Sequence, residues 1–187
     1  MRLIPAVLAL CAVSALSGCA SFVAPAYSPD YPSLDRLKTS SIDKVAVGSF
    51  QPRAAEAPVN RITLRGAALA PPTGSFAEYL ENAIRSDLTE LRVLDANAST
   101  RIDGTLLKND IDISGFSVGE GTIEVKLIVS KRGAPVLDKV YAAKTRFDSS
   151  FAGNVAIPRG QAEYPNLVRA LLQTIYADPA FIAAVRK

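Results

Sequence analysis

The stretch "GTIEVKLIVSKRGAPVLDKVYAAKTRF", Gly121 to Phe147, decides the fold. Ile123, Val125, Leu127 and Val129 alternate with Glu124, Lys126 and Ser130, interrupted only by Ile128, which is the period of a strand with one dry and one wet face. "KRGAP" supplies a turn, and Val136 to Phe147 returns as the hairpin partner. Upstream, from Arg92 onward, the period is again two. Ile102 and Leu106 share one parity while Ile111 and Ile113 take the other, so the alternation slips near "KND", Lys108 to Asp110, where a bulge or turn is expected. The three segments predict an antiparallel meander.

Around the meander lie helical and extended signals. "SFAEYLENAIRSDLTEL", Ser75 to Leu91, carries Phe76, Leu80, Ala83, Ile84, Leu88 and Leu91 at helical spacing, with Thr73 or Ser75 as cap and Glu81 and Arg85 as an i,i+4 pair. "IDKVAVGSF", starting at Ile42, reads as a first strand. Residues 51–74 hold four prolines and read as a long connection, with a short edge strand at Arg61 to Arg65 where Ile62 and Leu64 alternate with polar neighbours. Near the end, Pro165 suits the first turn of a helix carrying Leu167, Leu171 and Ile175, after a loop at "SSFAGNVAIPRGQAE"; Asp178 and Pro179 open a second, shorter helix. The order predicts an α+β fold, a mostly antiparallel sheet with helices packed on one face, forming a single domain over residues 42–187. No internal repeat is visible.

Composition bounds function. Across 187 residues the sequence has no histidine, two cysteines and a formal charge of +3; removing residues 1–18 takes away only Arg2. The lysines and arginines are scattered, without the basic stripe and interleaved aromatics that nucleic acid needs. "GFSVG", Gly115 to Gly119, has the Gly-x-Ser-x-Gly pattern of a hydrolase nucleophile elbow. An elbow needs a helix after Ser117, and here a strand signal follows. Without histidine the base would have to be Lys108, Lys126 or Lys131, so no catalytic residue is assigned. The alternative is a hairpin loop in which Gly115, Gly119 and Gly121 give backbone freedom. Asp110 and Asp112, with Asp103 nearby, lack the spacing of a Ca²⁺ loop, and zinc has none of its usual ligands, so no metal site and no cofactor is expected. "NAS" at Asn97 fits a glycosylation acceptor and is uninformative behind the signal described next.

At the N-terminus, "MRLIPAVLALCAVSALSGCAS" has one charge, an apolar run too short for the roughly 20 residues of a spanning helix, and then small residues. "LSGC", Leu16 to Cys19, resembles the lipobox of bacterial lipoproteins. That resemblance implies a signal peptide of residues 1–18, cleavage before Cys19, and a diacylglycerol on its thiol. Cys11 would leave with the signal, so the mature chain could form no internal disulfide. Ala20 and Ser21 resemble the residues of lipoproteins sent to the outer membrane. Residues 19–41, with Pro25, Pro29 and Pro32, read as a lipidated flexible tether of about 25 Å r.m.s. span.

In element order over residues 42–180, the chain resembles small α/β envelope lipoproteins of the YajG-like, ABC-transport auxiliary and LPS-assembly kinds. The resemblance implies a non-enzymatic accessory or scaffold protein, attached to the membrane through Cys19, facing the periplasm and working with a protein partner. It would present a sheet edge or the 51–74 connection. An alternative expectation is a module that binds lipid or another amphiphile between helices and sheet. Oligomeric state is left open by the sequence.

Overall fold

A computed structural model describes residues 21–187; the expected signal peptide and Cys19 lie outside the described residues. The fold is α+β. Its principal sheet has four strands in the order β2 (Val45–Gln51), β5 (Thr100–Asp112), β6 (Val118–Lys131) and β7 (Ala134–Asp148). Helices α2 (Phe76–Glu90), α3 (Gly153–Tyr176) and α4 (Pro179–Val185) cover one face.

Alternation in β6 makes that arrangement necessary. Ile123, Val125, Leu127 and Val129 are fully buried beneath the helices, while the intervening side chains face the open, charged side. The β6–β7 turn places Arg132 and Gly133 at φ 51° and 83°, both left-handed, as a two-residue hairpin requires. The expected slip in β5 is a bulge: Leu106 pairs with Val125 and Lys108 with Glu124, which leaves Leu107 as the extra residue. The bulge restores the inward parity of Ile111 and Ile113.

The sheet is mixed. β2 pairs with β5 in parallel, Val45 opposite Thr100, and α2 is part of the crossover between them. Ser75 caps α2 in a reciprocal capping box with Glu78. Phe76, Leu80, Ala83, Ile84 and Leu88 are buried as their spacing requires.

Three segments differ from the sequence expectation. The C-terminal helix begins at Gly153, well before Pro165, and runs through Pro158 and Pro165. Ala156, Gly160, Tyr164, Leu167 and Leu171 form a continuous buried stripe. Burial of that stripe outweighs the cost of the two prolines inside the helix. The 51–74 connection is also structured: a turn of 3-10 helix at Pro58–Asn60 leads into β3 (Ile62–Leu64) and β4 (Ala67–Ala70). Ile62 and Leu64 are buried, as expected of the edge strand.

The described part of the expected tether packs on the domain. β1 (Ser21–Val23) adds in parallel to β4, giving a second sheet in the order β1-β4-β3. α1 (Tyr31–Thr39) is capped by Asp30, whose carboxylate accepts from the Ser33 amide, with Pro32 in its first turn. Ala24, Leu34 and Leu37 are buried in the same apolar cluster as the sheet and the other helices. Proline content and the lack of a regular apolar period suggested a loose chain, but three apolar anchors, Ala24, Leu34 and Leu37, are buried while Val23 and Tyr31 stay exposed.

Candidate functional site

Ser117 is exposed in the loop between β5 and β6, and the chain enters a strand directly after it. Lys108 pairs with Glu124, Lys126 lies further along β6, and Lys131 ends that strand. At about 3.3 Å per residue these positions are roughly 23, 30 and 46 Å from Ser117 along β6. Lys126 forms an ion pair with Asp138, and the Lys131 ammonium donates to the Arg186 carbonyl. No lysine of the three is placed as a base for Ser117.

The glycines of this motif serve a different purpose from the expected one. Gly115, Gly119 and Gly121 are not among the positive-φ glycines. A Cβ on Gly119 would lie 2.4 Å from the ring of Phe147, its cross-strand partner, and one on Gly115 would lie 2.2 Å from the Val118 carbonyl oxygen. They give room rather than freedom.

Asp110 and Asp112 project from the wet side of β5, where the Asp112 carboxylate accepts from the Ser114 amide. Asp103 instead accepts from the Ser49 amide and the Arg101 guanidinium. Among the described residues no group of three or more acidic or cysteine side chains is arranged to hold a metal ion.

The space between helices and sheet is filled by side chains of the core. Two apolar clefts lie beside it. One, about 210 Å³, is bounded by Ala26, Tyr27, Pro72, Tyr79 and Ala83. The other, about 320 Å³, lies between β3, β4 and the start of α2. Small-molecule sites are usually roughly 300–1,000 Å³, so the first falls below that range and the second sits at its lower limit, which leaves a lipid little room.

The least expected polar cluster is at Asp87. Its side chain is fully buried and accepts hydrogen bonds from the Tyr27 hydroxyl (3.0 Å) and the Tyr176 hydroxyl (2.9 Å). Burial pushes the carboxyl up to about 6, against the pull of the two hydroxyls. The same burial raises Tyr27 and Tyr176 above the ordinary tyrosine range, so both remain donors. A signal was present in the sequence: Asp87 falls at i+7 from Leu80 and i+3 from Ile84, inside the apolar stripe of α2. Tyr27 is brought to it by the N-terminal strap, residues 21–30. Further along that strap, the Tyr79 hydroxyl donates to the Pro25 carbonyl and Gln161 donates to the Val23 carbonyl.

At one end of the sheet, three loops are tied by Arg65. Its guanidinium donates to the carbonyls of Ile113 (3.2 Å), Ser150 (2.9 Å) and Phe151. Phe116 and Phe151 project there with 79% and 71% of their surface exposed, stacked on each other at 5.6 Å, and the guanidinium lies 5.8 Å from the Phe151 ring centre. At the outer edge of the sheet, β7 has no strand partner beyond β6 among the described residues. Val136 and Val140 on it are half exposed.

No protein-family model matches the sequence. No curated protein matches it either. Solved structures do. A Xanthomonas campestris protein of the family described as DUF330 superposes with a TM-score of 0.58 at 12% identity, over 88% of this chain and 96% of its own. A hypothetical protein from Chlamydia trachomatis gives 0.51 at 10% identity, over 77% and 99%. A minor lipoprotein from Acinetobacter baumannii is a looser match, at 0.43 and 15% identity, over 74% and 91%. At these identities the first two likenesses establish the shared fold alone, and the third carries no argument.

Proposed function

We propose that this chain is a lipid-anchored envelope protein, attached through Cys19 to the outer membrane on its periplasmic face, that works without catalysis as an accessory or scaffold for an envelope complex. The observation that carries the scaffold role is the unpartnered edge of β7. It is 15 residues long, and most of its side chains are exposed. An open edge is a template for another strand, and soluble proteins usually blunt it. Here the protection is limited to charges such as Lys139 and Lys144 and to Pro135 near one end. An extended segment of a protein partner would gain main-chain hydrogen bonds along this edge, with Val136 and Val140 as apolar contacts.

Two further observations support the reading. The filled core and small clefts disfavour the amphiphile-binding alternative, and none of Lys108, Lys126 and Lys131 is placed to serve Ser117 as a base. Site-specific photo-crosslinking in cells tests the scaffold role. A crosslinker at Ala142 in β7 should trap one discrete envelope protein, and the same group at Thr105 on the open face of β5 should not. Equal trapping from both positions, or none from Ala142, would contradict it.

A further inference from the structure

The aromatic end of the sheet and the start of the described chain are neighbours. β1 runs parallel to β4 with Ser21 opposite Ala68, so Ser21 lies at the end of the sheet that carries the Arg65–Gly66 turn. Cys19 is two residues upstream, at most about 7 Å of extended chain. Arg65 and Gly66 lie at φ 51° and 86°, a left-handed hairpin turn that directs the Arg65 side chain across to the loops bearing Phe116 and Phe151. Val118, 43% exposed, continues the patch into β6.

Exposed phenylalanines are ordinarily mobile and costly in water. These two are held by a stack, a cation–π contact and an arginine that fastens both loops, so the patch is built rather than incidental. The geometry points to a second, non-covalent membrane contact: Phe116 and Phe151 insert into the lipid surface beside the acylated Cys19 and fix the orientation of the domain. This rests on the lipid-anchor reading above. The occupant is lipid rather than a protein because the attachment point is only a few residues away and the described strap, held by β1–β4 pairing and by Tyr27, leaves no slack to lift this end clear. On the strand ends and loops that meet here, Arg65, Arg146 and Arg159 stand against Asp112, Glu120 and Asp148. Insertion is therefore apolar in origin and does not depend on anionic lipid or on salt. With this end on the membrane, β6 carries the opposite turn at Arg132–Gly133 up to roughly 46 Å away.

The sequence contains no tryptophan, so Phe116→Trp and Phe151→Trp each give a single fluorophore at an exposed site. Val136→Trp, in the opposite half of the sheet, is the control. Full-length lipidated protein would be reconstituted in phosphatidylcholine vesicles with bromine on the upper acyl chain, and the intact mass of each sample recorded. The expected result is emission shifted to shorter wavelength and quenched by bromine at 116 and 151, unchanged by added salt, with position 136 unquenched. Unquenched tryptophan at both 116 and 151 in protein that carries the acyl mass overturns this contact and leaves the anchor standing. Protein without the acyl mass overturns both. Circular dichroism matching the wild type excludes misfolding as a cause.

Discussion

The β6–β7 hairpin and the N-terminal strap show two ways of ordering a chain. In the hairpin, order is written in the local pattern. Buried positions recur every second residue, and each strand meets a partner a few residues away across a two-residue turn. In the strap, order comes from remote groups: β4 supplies backbone partners, Asp87 takes the Tyr27 hydroxyl, Tyr79 reaches the Pro25 carbonyl, and the core takes Ala24. A segment of the second kind has no period of its own. Its stability is that of a few specific contacts, which makes it the part more easily released by a single change.

The largest effect should come from the hairpin. Leu127→Ala removes a fully buried side chain at the centre of β6 and should lower global stability by about 2–5 kcal/mol. Denaturant unfolding measures it; a change below 1 kcal/mol would mean that the helices do not close over this face as described.

Next comes the group joining strap to domain. Asp87→Ala leaves two tyrosine hydroxyls without their acceptor, at about 1–3 kcal/mol for each one that stays buried. The carboxylate itself carries a pH signature. It titrates at about 6 in the fold against 3.8 ordinarily, so the unfolded chain releases its proton first. Its contribution is greatest below pH 4 and is lost as pH rises to 6, by up to about 1.4 kcal/mol per pH unit. Carboxyls held low by hydrogen bonds, such as Asp178 at about 2 beside the Tyr141 hydroxyl, act in the opposite sense at pH below about 4. Asp87→Asn should therefore flatten stability against pH between 4 and 6. An unaltered slope would assign that titration to another group.

Tyr27→Phe is a smaller, local change of about 1 kcal/mol. Hydrogen exchange should speed up in residues 21–30 while β6 and β7 keep their protection. Uniform acceleration would show that strap and sheet open together, and the contrast drawn above would fail. Ser117→Ala should move stability by less than about 0.5 kcal/mol, and a fluorophosphonate probe should label neither form. Labelling lost with the hydroxyl would restore the serine as a nucleophile.

How much of this was legible follows the same division. The α2 stripe, the β5 slip and the β6–β7 turn are all local and could be read directly. The "LRGA" at Leu64 to Ala67 repeats the "KRGA" of the β6–β7 turn and makes the same left-handed hairpin, so β3–β4 was readable by analogy within the chain. Parallel pairing of β2 with β5 was not readable, because the crossover leaves no mark in either strand. The start of α3 was obscured by Pro158 and Pro165, whose local preference is overridden by a stripe visible only once its partners are known. Of the polar features, buried Asp87 left a mark in the sequence as a charge within an apolar face. Arg65, Phe116 and Phe151 are distant in sequence, and folding alone brings them together.

The proposed attachment at Cys19 is what gives strap, patch and free edge a common orientation. Two or more acyl chains hold a protein stably at a bilayer, whereas one does so only reversibly. Among the described residues no single helix is long and apolar enough to cross a membrane; the bent pair α3 and α4 is apolar enough, but its large side chains fill the core. The direct measurement is the intact mass of protein extracted from membranes. The predicted mass is that of a chain beginning at Cys19 and carrying a diacylglycerol thioether, with or without a third acyl group on the amine. A mature N-terminus at any other residue, or a Cys19 without added acyl mass, would contradict it.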